Sequence, residues 1–301
     1  MRKEFSAAIE KIARKDKKII FLTGDLGFNA LENIQAAIGK RFINIGVSEQ
    51  NMITMAAALA AQGFIPICYS IAPFTVFRPA EQIRLDICLH NLNVKIVGNG
   101  GGYGYGIMGG THHAIEDLAF LSSLQNMRCF IPFCDQDVEE VIGSMMACDG
   151  PAYLRLGKGE KPKRIKLPKY SPVRKILTGN KLTVVSIGPV GLNVLQAEEK
   201  IAGNPVDFFV VSELSIKKLL PTLKSSVIRT KKLLVVEEHV ARGGLGEHLT
   251  HKLSEAGLYF KFFHLCAQGY PSGCYGSQNF HQTESHLDSK SIEKIIRRVI
   301  K

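Results

Sequence analysis

The strongest constraint on how this 301-residue chain folds is an alternation that runs along it twice. Segments with helical spacing of apolar residues (Phe5 to Arg14, Glu49 to Gln62, Ala80 to His90, Ile115 to Ser123, Asp137 to Ala147) take turns with short apolar runs. The runs are Lys18 to Thr23, Phe64 to Tyr69, Val94 to Val97, Arg128 to Ile131 and Ala152 to Leu154. Such alternation predicts parallel strands joined by crossover helices. It recurs as Leu182 to Ile187, a helix from Leu192, Val206 to Val211, Leu233 to Glu237, a helix after Gly243, and Tyr259 to Leu265. The sequence therefore predicts an α/β protein of two consecutive domains, residues 1–156 and 176–301, each with a mostly parallel sheet flanked by helices.

The segment between them, 157–175, reads as a basic linker. From Arg155 to Lys175 there are nine Lys or Arg residues and one acid, Glu160, so most of the net charge of +11 is local. No aromatic residue interleaves with the charges from Lys158 to Lys169 as a single-strand platform requires, so no nucleic-acid partner is expected. No apolar run approaches the ~18 residues of a membrane span. The amphipathic start, Met1 to Phe5, has no signal-peptide core, and a cytoplasmic location is the expectation. Seven cysteines without a CxxC pair suit reduced thiols in a cytosolic enzyme, mostly as core filler.

Three stretches carry chemistry. In Phe42 to Met52 (FINIGVSEQNM) a short strand enters a Gly turn and the first turn of an Ala-rich helix. Ser48 can cap that helix, and Glu49 sits where the helix dipole favours a carboxylate. Helix geometry alone accounts for this pair, and so does a carboxylate facing a ligand crevice at the C-terminal edge of a parallel sheet. Gly98 to Gly110 holds eight glycines in thirteen positions, which allows close backbone approach to a ligand or loop movement. Its GxGxxG match at Gly104 to Gly109 lies seven residues past the strand, with no acid ~20 residues on, so no dinucleotide fold is read from it. His112 and His113 close the loop; adjacent histidines cannot share a helix face for a metal, and one of them either packs or handles protons. Phe74 and Phe77 either pack in the core or stack on a flat heteroaromatic ring.

Taken together and in order, these motifs resemble the C-terminal half of a transketolase, a pyrimidine-binding domain followed by the transketolase C-terminal domain. The resembling pieces are Gly46 to Met52, Phe74 to Phe77, Asn91 to Val97, Gly110 to Asp117, Pro151 to Gly157, Thr183 to Gly188 and Val235 to Gly246. The resemblance implies thiamine diphosphate as cofactor and transfer of a two-carbon ketol unit from a ketose to an aldose. Glu49 matches the family glutamate that hydrogen-bonds N1′ of the aminopyrimidine. Phe74 and Phe77 look like the aromatic wall against that ring, and Asp25 resembles an aspartate near the cofactor. His112 matches the histidine at the reaction centre, Arg155 corresponds to a substrate-phosphate contact, and Asn29 stands where a phosphate-contacting serine is common.

Departures accompany the match. Ile107 and Met108 replace an acidic pair before the histidine, and Gly100 stands where relatives often have another histidine. They point away from ordinary sugar phosphates toward a specialised ketose, or a nucleotide-linked or deoxy sugar. The family holds its diphosphate and Mg²⁺ in a separate N-terminal domain through a GDG motif, and residues 24–27 (GDLG) are not that motif. The resemblance thus implies a split enzyme whose partner, an N-terminal subunit, holds diphosphate and Mg²⁺; no residue of this chain is assigned to the metal. Two copies of each subunit are expected. The rival readings are the beta subunit of a 2-oxo-acid dehydrogenase, a deoxyxylulose-phosphate synthase fragment and a non-catalytic partner subunit. The second domain suggests subunit association, and the glycines at 243, 244 and 246 suggest a tight turn or an anion site.

Overall fold

The computed structural model describes residues 1–27, 30–162, 165–214, 216 and 219–301. The first half forms a six-stranded sheet from β1 (Ile19–Thr23), β2 (Phe42–Asn44), β3 (Ile65–Ile71), β4 (Lys95–Asn99), β5 (Arg128–Phe130) and β6 (Ala152–Leu156). Its spatial order is β2-β1-β3-β4-β6-β5, and every pairing is parallel. The second half builds β7 (Val173–Leu177), β8 (Leu182–Ile187), β9 (Val206–Val211), β10 (Lys232–Glu237) and β11 (Lys261–Leu265) in the order β11-β10-β8-β9-β7. All pairs are parallel there except β7 against β9. Two domains with mostly parallel sheets and crossover helices are what the alternation predicts.

The burial explains the runs. β1, β6, β8 and β9 are buried along their whole length, as strands covered on both faces must be. One face of the first sheet carries the helices Arg2–Lys15 and Val138–Met146, whose Phe5, Ile9, Val138 and Met145 pack with Phe21, Tyr69 and Leu154. Its other face belongs to a cluster that also takes in the helix Glu49–Ala61 and Val185, Phe209, Val211 and Val235 of the second sheet. The two halves thus share one apolar core. Backbone bonds cross between them as well, from Ile131 N to Ser212 O (2.8 Å) and from Leu214 N to Cys129 O (3.0 Å).

Some elements differ from expectation. β7 starts at Val173, inside the stretch read as linker, because Arg174 is buried against Asp137 and β9 offers an open edge. The helix expected over Ala80 to His90 is a short α turn, Ala80–Gln82, continued as π-helix over Ile83–Leu89. Ser48 makes no capping bond. Six cysteines are buried and Cys274 is exposed. Among the described residues no helix is long and apolar enough to cross a membrane. The helix Leu245–Glu255 begins at the glycine turn, where Glu237 accepts from Leu245 N (2.7 Å) and Gly246 N (2.8 Å). The anion at that helix start is therefore the chain's own carboxylate.

Candidate functional site

The carboxyl ends of the first sheet's strands lie on one edge, and the residues marked by the sequence follow them in turn. Asp25 lies past β1, Glu49 past β2, Phe74 and Phe77 past β3 and His112 past β4, while Arg155 is in β6. The order of the sheet reverses beside β1, and open α/β sheets bind ligands at such an edge.

Glu49 opens the helix Glu49–Ala61 and is 6% exposed. Both its oxygens accept from Nη1 of Arg78 at 3.0 Å. The Arg78 guanidinium lies 3.7 Å from the centroid of the Phe74 ring, and Phe74 meets His112 edge-on at 5.1 Å. Thr111 Oγ1 is 2.9 Å from Nδ1 of His112, whose ring lies 5.8 Å from that of Tyr105. The result is a continuous row, Glu49–Arg78–Phe74–His112–Tyr105. Phe77, 38% exposed, is outside this stack, and Asp25 is exposed. Asn29 lies outside the described residues.

The row tests whether the chain suits an aminopyrimidine. Arg78 presents a flat, delocalised, N–H-bearing plane that stacks on an aromatic ring while donating to a buried carboxylate. A flat nitrogen heterocycle could make the same two contacts, an N–H to Glu49 and a face to the Phe74 ring. The donor set fits. Among the described residues no three His, Cys, Asp or Glu side chains cluster as a metal site.

Arg155 faces inward. It is 6% exposed, its Nε lies 3.1 Å from Asp117 Oδ2, and its Nη2 donates to Ala114 O (2.7 Å) and Glu238 O (3.0 Å). Tyr153 donates to the same Asp117 oxygen at 2.7 Å. Gly101 is needed above it, since a Cβ there would stand 2.3 Å from Arg155 Nε. The fold brings Arg155 to groups of the chain itself, not to the row that holds Glu49 and His112.

Sequence reasoning missed Arg78; of the two histidines it named, His113 is the one that packs. Arg78 stands in the stretch singled out for its two phenylalanines, and its position between Phe77 and Pro79 was the available signal. His113 is buried against Tyr103, Tyr270 and His281, and that burial pushes its imidazole down to about 4. A folded value below the unfolded 6.5 means that the unfolded chain binds more protons between the two, so stability falls as pH drops through that window. At 1.36 kcal/mol per unit the loss reaches about 3 kcal/mol. Urea titrations of the wild type and His113→Gln should show the stability gap between them shrinking by about 2–3 kcal/mol from pH 7 to 4.5. A gap independent of pH would refute it.

A parallel sheet with a buried carboxylate beside an aromatic side chain at its C-terminal edge defines an α/β protein of the kind that binds ligands at that edge. Comparison with known families makes the class specific. The model of the transketolase pyrimidine-binding domain matches residues 1–163, and that of the transketolase C-terminal domain matches residues 172–272. The chain belongs to the transketolase family. It is 30% identical over 222 residues to an apulose-4-phosphate transketolase subunit of Actinobacillus succinogenes, covering 72% of this chain and 71% of that one. With the apulose-4-phosphate transketolase subunit of Phocaeicola vulgatus it shares 27% over 308 residues, covering 100% and 97%. The structure of a split-gene transketolase, an inactive β4 tetramer, superimposes with a TM-score of 0.83 at 26% identity, covering 99% of this chain and 97% of that one.

Proposed function

We propose that this chain is the C-terminal subunit of a split, thiamine-diphosphate-dependent transketolase that moves a two-carbon ketol unit from a ketose to an aldose. The observation that carries it is the buried Glu49 carboxylate bonded to a planar N–H group stacked on Phe74. When bound, thiamine diphosphate supplies the carbon nucleophile and electron sink for carbon–carbon cleavage. Glu49 holds the pyrimidine through its ring nitrogen and Phe74 walls it; Phe77 joins that wall only by turning in from its exposed position, and Asp25 lies on the same edge of the sheet. His112 hydrogen-bonds and exchanges protons with substrate hydroxyls, and Asn29, which lies outside the described residues, is a further substrate contact. The working domains are residues 1–156 and, once β7 is included, 173–301. The partner holds diphosphate and Mg²⁺, and two copies of each subunit assemble. The match to one subunit of an apulose-4-phosphate transketolase, over nearly its full length, supports this division. Unpaired cysteines suit a cytoplasmic setting. The substrate is a specialised ketose, since Ile107 and Met108 are exposed where relatives place acids.

Ketol transfer measured for this chain alone, and mixed with an N-terminal subunit, thiamine diphosphate and Mg²⁺, decides the reading. Activity is expected only in the mixture; reduction of a lipoyl acceptor with a 2-oxo acid instead would make it a dehydrogenase subunit.

Arg78 must leave Glu49 for the cofactor to enter. Its side chain is 45% exposed, and an ion pair at such a site contributes about 0–1 kcal/mol. Arg78→Gln should therefore tighten thiamine diphosphate binding to the assembled complex by up to about 5-fold by calorimetry. Weaker binding would show instead that Arg78 holds the cofactor.

A further inference from the structure

The glycine-rich loop is covered by residues 267–282 of the second domain. Tyr103, fully buried, donates its hydroxyl to Gly269 O at 2.9 Å, and its ring stacks on His281 at 5.1 Å. At Gly109, with φ 69°, a Cβ would stand 2.8 Å from the Tyr275 ring, so only glycine permits this approach. Tyr103 N donates to Glu238 at 2.7 Å, and that carboxylate also accepts from the side-chain amides of Gln278 and Gln282.

His113 joins this cover to the candidate site. Its Nε2 lies 2.9 Å from Gly106 O, an acceptor only, so Nε2 carries the proton. The Nδ1 of the neutral ring then accepts from the Tyr270 hydroxyl at 3.0 Å, and the two rings stack at 5.7 Å. The groups that face His113 are Tyr103, Tyr270 and His281, with His112 beside it. The N–H groups of His112 and His113 both donate to Gly109 O, at 2.9 and 3.1 Å. The peptide that carries His112 is thereby pinned from the second domain, while its ring meets Phe74 of the first.

We propose that residues 267–282 are a clamp that sets the presentation of His112, with Tyr270 and His281 as positioning residues acting through His113. This rests on the proposed role of His112 in ketol transfer. A group that meets substrate must be held within a fraction of an ångström, and a misplacement of about 1 Å costs on the order of 10²-fold in rate. The second domain then contributes to turnover without touching substrate.

Histidine NMR of the full chain, labelled in its imidazoles, reads the clamp directly. In the wild type His113 should show only the Nε2–H tautomer and no titration from pH 8 to 5. Tyr270→Phe keeps the ring and removes the hydroxyl; the second tautomer of His113 should appear and the His112 resonance should shift or double. In the assembled complex Tyr270→Ala should lower kcat by about 10²-fold while thiamine diphosphate affinity is unchanged. An unmoved His112 resonance in both Tyr270→Phe and His281→Phe, or a freely titrating His113, would overturn the clamp. His112→Ala in the same kinetic assay separates the two claims. Full activity there removes the reading on which the clamp rests, whereas the coupling of Tyr270 to His112 is read without turnover.

Discussion

Glu49→Ala, assayed in the assembled enzyme, is expected to lower kcat for ketol transfer by about 10²–10⁴-fold while the subunits remain folded and associated. The separation of activity from stability follows from the surroundings. Glu49 is buried, but its only ion-pair partner among the described residues, Arg78, is 45% exposed and is solvated by water once the carboxylate is gone. Loss of that pair costs about 1 kcal/mol or less. The catalytic cost is larger because no other described carboxylate stands on the row with Phe74 and His112, and Asp25 is exposed. Glu49→Gln keeps the shape but supplies a neutral acceptor, so it should fall nearly as far. Kinetics at saturating thiamine diphosphate, with sedimentation to confirm assembly, checks both. Unchanged activity would make this a non-catalytic partner subunit.

How much of this was legible follows from which contacts are local. β8 and β9 could be read to the residue, because strands buried on both faces are written as unbroken apolar runs. Glu49 and Phe74 could be placed at the sheet's edge because each follows a strand within five residues, whereas His112 stands thirteen residues past β4 and was marked by the glycine-rich loop it closes. β7 was not: Val173–Leu177 reads VRKIL, and its burial depends on Arg174 finding Asp137 and on the free edge of β9. The final helix, Ser289–Ile300, was not singled out either, although Asp288 caps it and Ile292, Ile296 and Val299 form its buried stripe. Arg78 and the cover around His113 depend on partners 29 and 157 residues away, which no local pattern encodes.

Arg155 shows why a motif position does not fix a role. The resemblance assigns it to a substrate phosphate, yet its guanidinium lies among Asp117, Ala114 O and Glu238 O, with Tyr153 on the same carboxylate. Asp117 is 0% exposed, so removing either partner leaves a buried charge without its counter-ion. Asp117→Ala and Arg155→Ala should each destabilise the fold by about 3–5 kcal/mol in urea titrations. The double variant Asp117→Asn with Arg155→Met should recover part of that loss, since neither charge is then stranded. A substrate contact would behave otherwise: Arg155→Ala would raise KM for the anionic sugar with stability near that of the wild type. The two outcomes are exclusive in their main effect, because a buried guanidinium paired with Asp117 and bonded to two backbone carbonyls belongs to the packing of the fold. The buried pair also ties β6 to the helix Asp117–Ser123 and to Glu238, so its loss should loosen the glycine-rich loop from both domains at once.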